Sequence, residues 1–304
     1  MSLLVVGSVA YDSVSTSHGS REEALGGSAT YFSVASSYFS EVNLVAVVGE
    51  DFRHADRNTL MGHGIRLDGL ETAKGKTFRW KGVYDTENVN NRETLDTQLN
   101  VFETFSPKLT DNQIKSDYLF LANIAPDLQL KVLEQMSTRP KLIALDTMNY
   151  WIEGTPAELQ KVLGRVNVLV INDSEARQLS GEVNLVKAAR IIQDMGPERV
   201  VIKRGEYGVL MTRPEGFFAV PGLPLDRVCD PTGAGDTFAG GFVGFLAAAA
   251  QITDQVVNQA VIAGSVMASF AVEEFGLDRL LTLTNVEIKQ RFGAFKRLTH
   301  FDEL

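Results

Sequence analysis

The chain has 304 residues, of which 44% are hydrophobic and 22% charged, the proportions of a globular protein with room for a substantial core. Its formal charge of −9 argues against nucleic acid or an anionic membrane surface as partner, while still permitting a local basic pocket for a nucleotide. The single cysteine, Cys229, rules out an intramolecular disulfide and agrees with a reducing, cytoplasmic setting.

Leu3–Val6 reads as a short buried strand ending at Gly7, and the start Met1 to Val6 lacks the basic n-region of a signal peptide. Ala29–Phe39 has small and aromatic residues at helical spacing, and Val42–Val48 is the next strand. A helix near Arg53–Gly62 follows, then a strand at Tyr118–Leu121 and a helix around Leu128–Met136. Strands fit at Leu142–Leu145, Val168–Ile171 and Val200–Ile202; helices fit at Pro156–Leu163, Ser174–Leu179 and Leu185–Met195. Short apolar strands alternating with helices argue for βαβ units and a largely parallel sheet. The longest apolar runs, Phe238–Ala250 and Ala260–Val272, are too short to span a bilayer and suit buried helices.

From Lys76 to Phe105 the rhythm breaks and no helix pattern is apparent. Phe78, Trp80 and Tyr84 share one face of a strand, because side chains alternate with period two. Asp85–Arg92 is a polar turn region with Asn90 and Asn91 as turn residues, and Leu95, Thr97, Leu99 and Val101 share a face of the return strand. This reads as a β-hairpin standing off the main sheet, either a lid over a cleft or an edge hairpin of the core.

The segment Asp230-Pro-Thr-Gly-Ala-Gly-Asp-Thr-Phe-Ala-Gly-Gly-Phe242 carries most of the chemistry. Gly233 and Gly235 let the backbone approach a ligand, and the helix start behind them offers unpaired N–H groups to an anion. A carboxylate at Asp236, beside such a nest, suits a base that takes a proton from a hydroxyl as a phosphoryl group is transferred. There is no Gly-x-x-x-x-Gly-Lys-Ser/Thr and no Gly-x-Gly-x-x-Gly, so Gly233-Ala234-Gly235 is the best phosphate cradle. The four histidines, His18, His54, His63 and His300, are dispersed, which excludes a zinc site or a Ser-His-Asp triad built on paired spacing.

That segment resembles the C-terminal signature of the ribokinase-like (PfkB) carbohydrate kinases, and four further motifs follow the same family order. Gly26-Gly-Ser-Ala-Thr30 is similar to the N-terminal Gly-Gly signature, and Val48-Gly-Glu-Asp-Phe52 to the Gly-x-Asp-x-Phe strand end. Asn172-Asp-Ser-Glu175 resembles Asn-x-x-Glu, and Lys203-Arg-Gly-Glu-Tyr-Gly208 resembles the nucleotide-side Lys/Thr-x-Gly-x-x-Gly turn. The resemblance spans the chain and implies one α/β domain over residues 1–304, a three-layer sandwich with a mostly parallel central sheet. It also implies a small β lid drawn from about 9–31 and 73–106.

The resemblance further implies an ATP-dependent kinase acting on an alcohol. Asp236 would be the base, and the amides of Gly233, Ala234 and Gly235 the anion hole. Lys203, Gly205 and Gly208 would line the nucleotide, with Asn172 beside the phosphates and Ser265 touching the adenine. Glu175 would act on Mg²⁺ through water. Asp230 and Thr232, with 271–276, would form a monovalent-cation site suited to K⁺. Each has a plainer reading: Asn172 and Glu175 as a helix N-terminus, Asp230 as a cap, Ser265 as a packing residue, Lys203 as a solvated strand end.

On the acceptor side the resemblance assigns substrate hydroxyls to Asp12, with Gly26 and Gly27 approaching the same ligand. Tyr31 stands where many relatives have asparagine, and Asn123 where ribokinase-type enzymes carry glutamate. Asp146-Thr-Met-Asn149 resembles an Asp-x-Asn strand end, but Trp151 follows where relatives that bind acidic sugars carry arginine. These departures count against ribose and anionic sugars. Phe78, Trp80 and Tyr84 either stack on a base or the apolar face of a ring or pack on the lid's own companion strand or a dimer partner, and Asn91 and Arg92 near the hairpin tip either contact substrate or are solvated. The expected acceptor is a neutral sugar or cyclitol, with a nucleoside as the alternative and a non-catalytic ligand sensor as the remote one. Pairing of two copies through their lids is a further expectation of the resemblance.

Overall fold

The computed structural model describes residues 2–85, 89–300 and 302. Residues 86–88, part of the turn expected over Asp85–Arg92, and Met1 lie outside the described residues. The chain opens with strands β1 (Leu3–Val6), β2 (Ala10–Thr16) and β3 (Gly19–Gly26) and helix α1 (Ser28–Ser37). β4 (Val42–Gly49), α2 (His54–Gly62), β5 (Ile65–Ala73), β6 (Phe78–Tyr84) and β7 (Arg92–Gln98) follow. Next come β8 (Tyr118–Leu121), α3 (Pro126–Gln135), β9 (Leu142–Asp146), α4 (Asn149–Gly154) and α5 (Pro156–Leu163). The chain continues through β10 (Val168–Asn172), α6 (Asp173–Ser180), α7 (Leu185–Asp194), β11 (Arg199–Lys203), β12 (Val209–Thr212) and β13 (Phe217–Val220). It closes with α8 (Ala234–Ala248), α9 (Asp254–Ala271) and α10 (Asn285–Leu298).

The central sheet has nine strands in the order β13-β12-β11-β10-β9-β8-β1-β4-β5. Its pairs are parallel from β11 through β5, and only the β11–β12 and β12–β13 pairs are antiparallel, so β12 alone runs against the rest. Alternation splits its strands between two cores, as period two requires. Leu3, Val5, Phe120, Ala144 and Val170 pack on the face covered by α1, α8 and α9, where Phe32 stacks on Phe120 at 4.1 Å between ring centroids. Leu4, Val6, Leu119, Leu145 and Ile171 pack on the opposite face with Val132, Leu159 and Ile192 of α3, α5 and α7. The apolar runs anticipated as buried helices are α8 and α9, and none of the helices among the described residues is long and apolar enough to cross a membrane.

A second sheet of four strands, β3-β2-β6-β7, stands apart. It takes residues 10–26 and 78–98, whereas Tyr31, expected within the lid span, belongs to α1 of the core. The return strand ends at Gln98, not at Val101; Asn100–Thr104 is a short helical turn whose Val101 is buried against the core. Lid and sheet are tied where Asp51, of the Val48–Phe52 motif, accepts hydrogen bonds from both the N–H and the hydroxyl of Thr77 at 2.7 Å. Arg79 of β6 pairs with Asp51 at 2.8 Å and with Glu23 of β3 at 2.9 Å. The motif thus anchors the first residues of the lid's second arm.

Candidate active site

Ligands of parallel sheets sit beyond the carboxyl ends of the strands. Here Asn123 follows β8, while Asp146, Asn172 and Lys203 end β9, β10 and β11, which are neighbours in the sheet. The lid supplies Asp12 from β2, and the first turn of α8 supplies Asp236.

Asp12 is buried and its Oδ2 accepts a hydrogen bond from the Gly27 N–H at 3.2 Å. A Cβ on Gly26 would stand 2.0 Å from that oxygen, so only glycine fits there. Burial pushes the Asp12 carboxyl up to about 7, against the pull of the Gly27 N–H. The structure therefore brings together Asp12, Gly26 and Gly27, the three residues expected on the acceptor side.

Gly233 caps α8 in the left-handed region at φ 71°. Tyr31 packs beneath it, buried, as the floor of the turn rather than a wall of the open cleft, and its hydroxyl has no hydrogen-bond partner. Of the three amides expected in the anion hole, that of Ala234 is already taken: it donates to the Pro231 carbonyl at 3.2 Å, closing the turn that sets up Gly233. Gly235 and Asp236 occupy the helix start, where amides have no acceptor within the helix.

Asp236 is half-buried. Burial pushes its carboxyl up to about 7; the Asp146 charge adds to this, while Lys203 and Arg92 oppose it. The Lys203 ammonium lies 2.9 Å from where a Gly235 Cβ would be and 3.7 Å from Asp146 Oδ1. Burial alone would lower the Lys203 pKa, but the charges of Asp146, Glu175 and Asp236 outweigh it and hold the amine charged. Asp146 is the residue that sequence reasoning left without a role; its signal was an acid at the carboxyl end of an apolar strand.

Asn172 and Glu175 form a capping box. Asn172 Oδ1 accepts from the Glu175 N–H at 2.8 Å, and Glu175 Oε2 accepts from the Asn172 N–H at 2.8 Å. The plainer reading of these two residues is therefore correct as far as it goes. The box engages one Glu175 oxygen, and burial pushes the carboxyl up to about 7 despite the nearby Lys203. No three His, Cys, Asp or Glu side chains among the described residues cluster closely enough to hold a metal ion. The donor set thus fits a Mg²⁺ held chiefly by nucleotide phosphates and water, with the second Glu175 oxygen behind it.

Gly205 and Gly208 shape the turn from β11 to β12. Ser265 sits buried in α9 and its hydroxyl donates to the Val261 carbonyl at 2.9 Å, so it retains only an acceptor for any base. Asp230 is buried with both oxygens engaged, accepting from the N–H groups of Thr232 and Gly276 at 2.9 Å each. It ties the segment before α8 to the segment after α9, which a simple helix cap would not do.

The lid presents Trp80 and Tyr84 on one face. The Trp80 indole lies over Gly82 and donates to Thr94 Oγ1 at 3.3 Å, while the Arg92 guanidinium stands 5.5 Å from the indole ring centroid. The Arg92 charge is felt at Tyr84, Asp12, Asp146, Glu175 and Asp236. The buried Tyr84 hydroxyl accepts from Thr232 Oγ1 at 3.2 Å. Phe78 does not belong to this set: it stacks on Phe102 at 5.4 Å, which in turn stacks on Phe105, so its ring serves the base of the lid. Asn91 contributes its carbonyl to the hairpin, accepting from the Asp85 N–H. Its neighbour Asn90 reaches across to the turn between β11 and β12, where its amide donates to Glu206 at 2.5 Å.

Asn123 is oriented by Trp151, whose indole N–H donates to Asn123 Oδ1 at 2.9 Å; Asn123 Nδ2 donates to the Met148 sulfur. Asn149 is exposed at the start of α4. The tryptophan that departs from the acidic-sugar pattern therefore has a definite task, fixing the asparagine that departs from the ribokinase pattern.

Comparison with known proteins agrees with this architecture. A cytidine kinase of Thermococcus kodakarensis is 29% identical over 255 residues, covering 80% of this chain and 87% of that protein. An inositol 3-kinase of Arabidopsis thaliana is 22% identical over 306 residues, covering 97% of this chain and 80% of that protein. Among solved structures, a fructokinase double mutant from Vibrio cholerae O395, bound to fructose, ADP and potassium, superposes with a TM-score of 0.79 at 18% identity, covering 96% of this chain and 98% of that one. The model of the pfkB family carbohydrate kinases matches residues 2–282, so the chain belongs to that family and is an ATP-dependent kinase of a small-molecule hydroxyl.

Proposed function

We propose that the acceptor is a neutral nucleoside. The observation that carries this reading is the pair Trp80–Arg92 on the lid. The Arg92 guanidinium stands over the indole face at 5.5 Å from the ring centroid, so that face is accessible to a planar group. Asn123, held rigidly by Trp151, offers a fixed amide edge at the carboxyl end of β8. The similarity to a cytidine kinase over most of both chains supports the same class. This reverses the order expected from sequence, where a sugar or cyclitol came first.

Asp12 accepts hydrogen bonds from vicinal hydroxyls of the bound acceptor, and the close approach of Gly26 leaves no room for competing side chains. Asp236 takes the proton of the attacking hydroxyl. The helix-start amides around Gly235, with Lys203, stabilise the charge on the phosphoryl group. Glu175, beside Asn172, would hold a Mg²⁺ through water, and the ion would supply charge neutralisation at the nucleotide phosphates. The lid excludes water, which limits wasteful hydrolysis of ATP. A monovalent cation is placed at Asp230 and the segment it ties down; that a structurally similar fructokinase was solved with potassium bound supports a cation of this class, not its position. The seven residues of β7 are all exposed, and an open strand edge supports pairing of two lids.

An ADP-release assay over cytidine, adenosine, inosine, ribose, fructose and inositols tests the acceptor. Turnover of a nucleoside at the highest kcat/KM is the expected result, and Trp80→Ala should raise KM for that nucleoside about tenfold. Preference for an inositol or a free sugar would reject the nucleoside. That second reading has its own support in the buried, diol-binding geometry of Asp12 and in the similarity to an inositol kinase.

A further inference from the structure

Asp146 and Lys203 end strands that flank β10 on either side, in the register that pairs Asp146 with Val170 and Asn172 with Lys203. Both side chains are largely enclosed, at 10% and 17% exposure. The Asp146 backbone cannot shift, because the fully buried Gln129 amide donates to its carbonyl at 3.2 Å and to that of Ala122 at 3.0 Å. Its carboxylate is less satisfied: Oδ1 is buried and makes no hydrogen bond, and its cationic neighbour stands at 3.7 Å, beyond hydrogen-bond range. Such a pair is weak evidence of a stabilising role, because replacing a buried ion pair as a whole by apolar residues is often neutral or favourable to the fold.

The Lys203 ammonium meanwhile rests 2.9 Å from the Cβ position of Gly235, within the turn that receives a phosphoryl group. One lysine thus faces two anionic partners in succession, the carboxylate now and the phosphoryl oxygens later. We propose that Asp146 is a positioning residue for phosphoryl transfer: it holds the Lys203 ammonium over Gly235 before ATP arrives and yields it to the transferring group. Without Asp146 the flexible four-carbon stem of Lys203 loses its ion-pair partner and is held only by the charges of Glu175 and Asp236, so the cation is less well placed before the reaction. The loose pair is what allows the exchange. This inference rests on the reading of Gly233–Gly235 as the phosphoryl site.

The test is a double-mutant cycle in the full-length enzyme, with kcat and KM for ATP measured at saturating acceptor and thermal melting as the control for folding. Asp146→Asn should lower kcat about tenfold or more while KM for ATP stays the same or falls, since a repulsive charge has gone. In the Lys203→Met background Asp146→Asn should change kcat less than about threefold, because its effect runs through the lysine. Asp146→Ser is the second variant should Asn disturb the fold. A kcat within threefold of wild type for both Asp146 variants, or effects of the two sites that multiply in full, would overturn the role of Asp146. A Lys203→Met enzyme with unchanged kcat and ATP affinity would instead reject the phosphoryl-site reading beneath it.

Discussion

The aromatic ring of Tyr31 lies directly under Gly233: a Cβ on that glycine would stand 2.4 Å from three of its ring atoms. The helix that carries the Gly-Gly signature thereby supports the helix that carries Asp236, although the two are some two hundred residues apart in the chain. Both steric contact and the positive φ exclude any side chain at 233. Gly233→Ala should lower kcat/KM by about 10²-fold or more, as the base and the helix-start amides shift together. Steady-state kinetics with a melting curve will check it; a variant within a few-fold of wild type would show that the turn tolerates displacement.

Tyr31→Phe should behave quite differently. The hydroxyl is buried with no partner, so the protein already bears the cost of desolvating it. Removing it should leave Tm unchanged or raise it, with kcat and KM retained. A large loss of acceptor affinity would show that the hydroxyl contacts substrate, as the position's resemblance to a sugar-binding asparagine implied.

Asp236→Asn combines a catalytic and a stability outcome. Turnover should fall about 10³-fold or more with ATP binding kept, measured by calorimetry with a non-hydrolysable analogue. The folded carboxyl sits near 7, above its unfolded value, chiefly through burial. A group raised in this way favours the fold below its unfolded pKa, and that stability is lost as pH rises through 7. Asn should therefore raise Tm at pH 8 more than at pH 5, by roughly 2 °C for each kcal/mol recovered. Equal melting at both pH values would contradict the burial of the acid.

Much of this site was legible in the chain because it depends on local chemistry. Asp236 announced itself through the glycines before it, and the strands that end in Asp146, Asn172 and Lys203 appeared as apolar runs between helical segments. What escaped was set by partners distant in sequence. β2 and β3 are lid strands that take their form from pairing with each other and, for β2, with β6, and β5 fully buries only Ile65 and Leu70, so none of the three displays an apolar run. Phe78 has the right spacing to share a face with Trp80, yet Phe102 claims it. Tyr31 fell at the right turn of helix but under the Gly233 turn, because only the fold brings Gly233 onto its ring.

The pH dependence of catalysis follows from the same charges. The base must be ionised, so kcat/KM should rise with pH through an apparent pKa near 7 and fall away below it. Lys203 lowers the Asp236 pKa by proximity, against the larger effect of burial. Removing that cation in Lys203→Met should move the acidic limb to higher pH as well as reduce the plateau. A limb that stays in place while the plateau drops would mean that Lys203 serves the phosphoryl group alone.

The hinge offers a test of the lid that leaves the chemistry untouched. Asp51 receives two hydrogen bonds from Thr77 and pairs with Arg79, and Arg79 continues the network to Glu23 on the other lid arm. Asp51→Ala removes the anchor of both arms while lying on the far side of β6 from Trp80. KM for the acceptor should rise about tenfold, since the lid must then be ordered by the substrate itself, with kcat reduced less. Hydrogen exchange should quicken at the amides of β6 and β7 and remain slow in β8 to β10, which the anchor does not touch. Exchange that accelerates evenly through the central sheet would mean that Asp51 stabilises the whole fold rather than the lid; unchanged KM with a faster-exchanging lid would separate lid order from acceptor binding.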